Sequence, residues 1–333
     1  MAPTRVSIIV ATYNRADLLD DCLAHLARQT FEDGDEMIVV DNGSTDETRS
    51  VVTAHTIGFP VPLRYFIEPR AGKSHALNTA LASAAGDVLA FTDDDVNVAA
   101  SWLAEIRRGL SDPEVGITGG PVLPRWEQPP PRWLTFDEAA HRPAEASFGR
   151  LGAPLALLSY GPEASALGPR TLLGANMAAR REVLARLGGF PAHLGKKRGT
   201  LLSGEDHDVC ARVQAAGFKA VYVPSACVYH WVPADRLRIR YFVNWFFWSG
   251  ITNAALDDKA ESRMKSVAGV PGFIVRRMVS GIVQAAKAAV LGRGSAAVTA
   301  MTEAAFATGY AARCWGFARS ATTRLADAPG GAR

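Results

Sequence analysis

Cysteine is scarce. The four present (Cys22, Cys210, Cys227 and Cys314) are scattered, and none forms a C-x-x-C pair. This excludes a disulfide framework and the usual zinc spacings, and a reducing compartment is expected. Long hydrophobic runs are missing as well: no stretch reaches the roughly 18 uninterrupted apolar residues of a membrane-spanning helix. The opening "MAPTRVSIIV" carries no long apolar h-region and runs straight into a strand, so no secretory signal is expected there. Glycine-rich phosphate loops are absent too. "RAGKSH" ends like a P-loop, but that motif demands a glycine where Ile67 stands, and no G-x-G-x-x-G follows the first strand. ATPase and dinucleotide readings both fail on this. Lys73 and His75 are then either phosphate contacts or ordinary helix-start residues.

What is present is a globular composition: 333 residues, 48% hydrophobic and 21% charged, enough for one large domain or a core domain with an appendage. Only the end, "ADAPGGAR", reads as disordered. The net charge of +3 conceals an asymmetry. From Arg236 onward 14 Lys and Arg face five Asp and Glu, so the tail carries +9 and the first 235 residues −6. No repeat of fixed period is visible, and no nucleic-acid partner is expected.

"VSIIVAT" (6–12) and "EMIVVDNG" (36–43) are β-branched runs ended by polar turn residues. Between them Leu18, Leu19, Cys22, Leu23 and Leu26 recur at helical spacing. "STDETRSVVTAH" opens a second helix with capping-type residues; "LRYFIE", "KSHALNTALASAA" and "DVLAFTD" continue as strand, helix and strand. Strands alternating with helices of this length predict right-handed βαβ units and a parallel sheet. Ligands of such sheets sit at the carboxyl ends of the strands. Here those ends carry Thr12–Asn14, Asp41–Ser44 and Asp93–Asp95. From Gly119 the texture turns irregular and rich in Pro and Trp, and periodic segments return at "REVLARLGGF", "SGEDHDVCARVQAAG" and "KAVYVP". The expected division is 1–118 as a first half and 119–235 as a second lobe completing one domain, with 236–333 as a helical basic region.

Three consecutive carboxylates, Asp93, Asp94 and Asp95, follow a buried strand pattern, and like charges this close need a cation. In an extended segment Asp93 and Asp95 share a face while Asp94 points away. Mg²⁺ and Mn²⁺, which take oxygen ligands and are held by one or two carboxylates plus substrate phosphates, fit this better than a helix cap does. Ser203-x-x-Asp206 fits a capping box, yet Glu205, Asp206, His207 and Asp208 crowd one turn, where a carboxylate is also placed to take a proton. His230, ending the apolar run "CVYHWV", reads on its own as a packed core histidine.

Five stretches in order, "VSIIVATYNR", "VVDNGSTDET", "AGKSHALNTALASAAGDVLAFTDDDV", "LLGANMAARREVLARLGGF" and "SGEDHDVCARVQAAGFKAVYVPSACVYH", resemble the inverting family-2 glycosyltransferases of GT-A fold. They span about two-thirds of the chain. The resemblance implies an α/β fold, a Rossmann-like, mostly parallel sheet flanked by helices, with a helical C-terminal extension; 1–118 is then the nucleotide-sugar-binding half and 119–235 the acceptor-binding half. It implies that Tyr13 lies against the nucleotide base and Asp41 hydrogen-bonds it, with Thr12 and Asn14 shaping the pocket and Lys73 on the donor side. Asp93 and Asp95 match the D-x-D that holds Mn²⁺ or Mg²⁺ on the donor diphosphate, Asp94 faces sugar or ribose, and His230 matches a histidine that ligates the metal in some members. Asp206 is the implied general base, with Glu205 on the acceptor side. Trp126 and Trp133 are either stacking partners of the acceptor or core residues. The second motif departs from the commoner D-D-G-S, placing Asn42 where many members carry an acid.

The implied reaction is transfer of a sugar from a nucleotide-sugar donor, a UDP-sugar favoured, to a hydroxyl of a glycan, lipid-linked or small-molecule acceptor. The alternatives are a nucleotidyltransferase, which calls for a glycine-rich loop where "TYNRAD" stands, and an inactive glycan- or membrane-binding module, against which Asp93, Asp95 and Asp206 together argue. In the tail, Arg236, Arg238 and Arg240 precede an aromatic run, and Val275, Met278/Val279, Ile282, Ala286 and Val290 form one helical stripe opposite Arg276, Ser280, Gln284 and Lys287. Either these helices pack on the body or they attach a cytoplasmic protein to an anionic membrane surface, on the inner face of the cell membrane.

Overall fold

The computed structural model describes residues 4–134, 151–192, 204–257 and 266–317. The tail "ADAPGGAR" and Ser203 of the expected capping box lie outside the described residues. The chain divides into two compact units: of the described residues, 4–125 and 156–231 form the first, and 126–134, 151–155, 232–257 and 266–317 the second.

In the first unit the alternating pattern produces β1 (Val6–Thr12), α1 (Ala16–Leu26), β2 (Glu36–Asp41), α2 (Thr48–Thr56), β3 (Leu63–Ile67), α3 (Lys73–Ser83) and β4 (Val88–Asp93). These four strands are parallel in the order β3-β2-β1-β4. Successive side chains alternate across the sheet. Ile8, Val10 and Val39 therefore share one core with Leu19, Cys22, Leu23 and Leu26 of α1, while Ile9, Ile38 and Val40 share the other with Ala76, Leu77 and Ala80 of α3. Burial on both faces is why these strands read as continuous apolar runs.

Beyond β4 the elements are β5 (Val96–Val98), α4 (Trp102–Gly109), β6 (Val115–Gly119), β7 (Val122–Trp126), β8 (Ser165–Ala166), β9 (Asn176–Arg180), α5 (Arg181–Arg186), α6 (Glu205–Ala215), β10 (Lys219–Tyr222) and β11 (Val228–Val232). β9 runs antiparallel between β4 and β6, so the eight-stranded sheet, β3-β2-β1-β4-β9-β6-β10-β8, is parallel in its first half and mixed beyond. A second sheet, β5-β11-β7, pairs His230 opposite Val96 and brings it beside the turn that leaves β4. Buried Asn176 fastens this region: its amide donates to the carbonyls of Pro121 (2.9 Å) and Ala226 (2.7 Å) and accepts from the Trp102 indole (2.9 Å). Gly120 must lack a side chain, since a Cβ there would sit 2.1 Å from the Ala226 oxygen.

Among its described residues after 238 the second unit holds three helices, α7 (Ile239–Asp257), α8 (Gly272–Val290) and α9 (Gly294–Cys314), and a short antiparallel ribbon, β12 (Ser266–Val267) with β13 (Val270–Pro271). α7 and α9 cross at backbone contact, a Cβ on Gly309 meeting the Phe247 oxygen at 1.9 Å. α8 buries its small-residue face, Gly281 and Ala288 with Ile274, because glycine lets it approach α9 closely. Much of the stripe expected from periodicity therefore faces outward: Val279, Ile282 and Val290 are exposed. Among the described residues no helix is long and apolar enough to cross a membrane.

Candidate active site

The carboxyl ends of β1, β2 and β4 converge in the first unit with the starts of α3 and α6. At the end of β1, Asn14 adopts a left-handed backbone (φ 51°), which asparagine tolerates better than most residues. Its N–H donates to Ser44 Oγ (2.9 Å) and its Oδ1 accepts from the Thr45 N–H (2.7 Å), tying the first motif to the loop after β2. Tyr13 beside it is half-buried. Asp41 accepts from the Ser44 N–H (2.7 Å) and the Tyr65 hydroxyl (2.5 Å).

Asn42 has a physical reason to be an amide. Its Nδ2 donates to the carbonyls of Glu68 (2.9 Å) and Arg70 (2.7 Å), and its Oδ1 accepts from the Gly72 N–H (2.8 Å). A carboxylate could do only the last of these. Asn42 thereby fixes the loop that launches α3 and places Lys73.

The acidic triplet departs from simple alternation. The strand ends at Asp93 and the chain turns at once, so Asp94 and Asp95 face the same partner, Arg15. The Arg15 Nη1 donates to Asp94 Oδ1 (2.9 Å) and Asp95 Oδ2 (2.7 Å). Asp94, expected to face sugar or ribose, is only 4% exposed and also accepts from Thr12 Oγ1 (2.9 Å). Burial, with Asp95 and Asp93 adding and Arg15 and Thr12 opposing, pushes the Asp94 carboxyl up to about 6. Asp93 turns instead to the Lys73 ammonium, with which it pairs directly. Burial disfavours the charged form of Lys73, but Asp93, Glu205 and Asp206 outweigh it and hold the ammonium above its ordinary pKa.

Lys73 connects the triplet to α6. Its Nζ lies 3.5 Å from where a Cβ on Gly174 would stand, and the Gly174 N–H donates to Asp206 Oδ2 (3.2 Å). Asp206 Oδ1 accepts from the His207 N–H (2.9 Å) and lies 3.2 Å from the His207 imidazole. Burial works to raise the Asp206 carboxyl, yet the His207 ring and these N–H groups hold it below the usual carboxylate range. Glu205 is pushed up, by burial first. Two adjacent acids thus have opposed environments, Asp206 held toward its ionised form and Glu205 toward its neutral one. The α6 N-cap is Gly204, with no side-chain cap bond.

His230 is 2% exposed, and its Nε2 lies 3.5 Å from Asp95 Oδ1. Its Nδ1 has no hydrogen-bond partner among the described residues. Among those residues no three His, Cys, Asp or Glu side chains converge as a metal cluster. A buried imidazole facing a carboxylate, too far for a hydrogen bond, nevertheless fits two ligands of an octahedral ion that draws its remaining ligands from phosphate and water. Trp126 and Trp133 belong to the second unit, where Trp133 packs edge-on against Phe242 (centroids 5.1 Å, 88°).

Sequence reasoning gave no role to Arg15, Gly174 or His207, although His207 stood in the crowded turn of acids and Gly174 in a quoted motif. The signal for Arg15 is a cation immediately after the first strand motif in a chain with a triple acid to neutralise.

Residues 7–162 match the family described as Glycosyl transferase family 2, and residues 88–256, half the chain, match Glycosyl transferase family group 2. The chain belongs to glycosyltransferase family 2. This family-2 glycosyltransferase is 27% identical over 253 residues to the succinoglycan biosynthesis protein ExoM of Rhizobium meliloti, covering 75% of this chain and 74% of that one. It is 24% identical over 257 residues to the glucosyl-dolichyl phosphate glucuronosyltransferase of Haloferax volcanii, covering 76% and 77%. Among solved structures it resembles the mannosyltransferase PcManGT from Pyrobaculum calidifontis in complex with GDP-Man and Mn²⁺ (TM-score 0.63, 22% identity, 94% of this chain and 87% of that one). A second likeness is to GalNAc-T7 with UDP, GalNAc and Mn²⁺ (TM-score 0.53, 16% identity, 80% and 52%). The fold is GT-A.

Proposed function

We propose that the protein is a metal-dependent, inverting glycosyltransferase that moves a sugar from a nucleotide-sugar donor to an acceptor hydroxyl. The observation that carries this is that Asp93 pairs with Lys73, whose Nζ lies beside Gly174, the residue whose N–H holds Asp206, with Asp95 next to His230. It joins a charge-managing strand end to an ionised carboxylate in one unit.

Asp41 and Tyr13 face the base, with Thr12 and Asn14 holding the turn that carries them. A UDP-sugar is the favoured donor; neighbours of the same fold hold UDP in one structure and GDP-Man in another. Asp95 and His230 are the residues that would hold Mn²⁺ or Mg²⁺, which when bound neutralises charge on the departing diphosphate. Lys73 supplies a second positive charge at the same strand end. Asp206 removes the acceptor proton as the hydroxyl attacks the anomeric carbon opposite the leaving group, so configuration inverts. The Gly174 and His207 N–H groups orient its two oxygens for this. Glu205 adjoins the base on the acceptor side.

A lipid-linked acceptor at a membrane surface fits the second unit. Of the thirteen large apolar side chains exposed among the described residues, ten lie between 266 and 317. Residues 266–302 contain four Lys or Arg and no Asp or Glu. That combination suits the interface of an anionic bilayer. The relative from Haloferax volcanii is named for a dolichyl phosphate substrate. The test of the reaction is turnover of a nucleotide-sugar panel with lipid-linked acceptors, with product configuration read by NMR. A retained anomeric configuration contradicts the base assigned here.

A further inference from the structure

The end of β4 presents three carboxylates, and the protein neutralises them with two cations of its own. Lys73 takes Asp93, and Arg15 takes both Asp94 and Asp95. Asp95 divides its oxygens, Oδ2 on Arg15 at 2.7 Å and Oδ1 toward His230 at 3.5 Å. The residue best placed to hold a divalent cation is therefore already charge-matched.

We propose that Arg15 is a resident counter-ion. It keeps the affinity for a divalent cation low until the donor diphosphate is present, and so makes cation and nucleotide binding depend on each other. The proposal rests on the reading that Asp95 and His230 hold the cation. Asp93 and Lys73 cancel, and Asp94, Asp95 and Arg15 sum to one negative charge. A divalent cation arriving alone leaves this buried cluster with an uncompensated positive charge, which is costly in a low-dielectric site. The negative charges of a diphosphate remove that cost. Without Arg15 the two carboxylates match a divalent cation by themselves.

The geometry supports a movable counter-ion. The Arg15 side chain is 36% exposed and already borders solvent, whereas Lys73 is 17% exposed. Both contacts of Arg15 use one nitrogen, Nη1, so a lysine ammonium can reproduce them. Coupling between two ligands is reciprocal, so Mn²⁺ must tighten nucleotide binding by the factor by which nucleotide tightens Mn²⁺.

The test titrates Mn²⁺ into the wild type, Arg15→Gln and Arg15→Lys, reading free ion by electron paramagnetic resonance, with and without saturating UDP (GDP where UDP does not bind). Melting curves in EDTA establish that each variant is folded. The wild type should bind Mn²⁺ about tenfold or more tightly with nucleotide than without, a size usual for coupled sites. Arg15→Gln should bind Mn²⁺ alone about tenfold more tightly than the wild type and gain little from nucleotide, and Arg15→Lys should follow the wild type. Arg15→Gln with wild-type Mn²⁺ affinity overturns the proposal. So does a wild type whose Mn²⁺ affinity ignores nucleotide, a result that stands even where Arg15→Gln does not fold. If the wild type binds no Mn²⁺ even with nucleotide bound, the metal reading itself falls and takes this proposal with it.

Discussion

The Gly174 N–H donates to Oδ2 of Asp206 at 3.2 Å, linking the segment before β9 to the first turn of α6. With the His207 N–H on Oδ1 (2.9 Å), this bond gives the Asp206 carboxylate two backbone donors beside the His207 ring. Asp206→Asn keeps the volume and one acceptor oxygen but cannot take a proton. Its kcat should fall about 10²–10⁴-fold, the usual size of a general-base contribution, with donor affinity nearly unchanged. Near-wild-type turnover would make Asp206 a structural residue.

Asn42→Asp tests the loop that positions Lys73. The substitution restores the acid common at this position but sets a carboxylate against the Glu68 and Arg70 carbonyls. Losing two buried donors should cost about 2 kcal/mol, read as a lower denaturation midpoint. An unchanged midpoint would show that the amide is not needed.

Glu68 gives the same loop a pH dependence. The Arg70 guanidinium, opposed by burial and aided by the Thr79 hydroxyl and the Arg70 N–H, holds its carboxyl down at about 2. A depressed carboxyl contributes stability above its ordinary value of 4.5, and that contribution is lost as pH falls from there toward about 2. Glu68→Gln should flatten the fall in denaturation midpoint across this window. Parallel wild-type and mutant profiles would contradict it.

The outward face of α8 predicts membrane attachment without a structural penalty. Replacing Val279, Ile282 and Val283 by serine should weaken co-sedimentation with anionic vesicles and leave the melting temperature nearly unchanged, because these side chains are already exposed. Raising salt should release the wild type in part. A melting temperature several degrees lower, with vesicle binding intact, would make the face a packing surface.

The first half of the fold was legible because its strands are buried on both faces and its helices are amphipathic, two patterns with different periods. β9 (Asn176–Arg180), only five residues long and reading "NMAAR", carries no such period, and its insertion antiparallel between β4 and β6 depends on contacts distant in sequence. The same holds within the site. Asp93, Asp95, Asp206 and His230 were visible as motif positions, but the turn at Asp94 that hands two carboxylates to Arg15 is a tertiary event. On α8 periodicity found the large apolar residues and missed that Gly281 and Ala288 define the packed face.

A nucleoside diphosphate and a divalent cation should meet at Asp95. Calorimetry of UDP and GDP binding, in Mn²⁺ and in EDTA, for the wild type and Asp95→Ala tests it most directly. At least one nucleotide should bind the wild type about tenfold or more tightly in Mn²⁺ than in EDTA, and Asp95→Ala should bind it with the EDTA affinity under both conditions. Nucleotide affinity indifferent to both EDTA and Asp95→Ala would contradict the account.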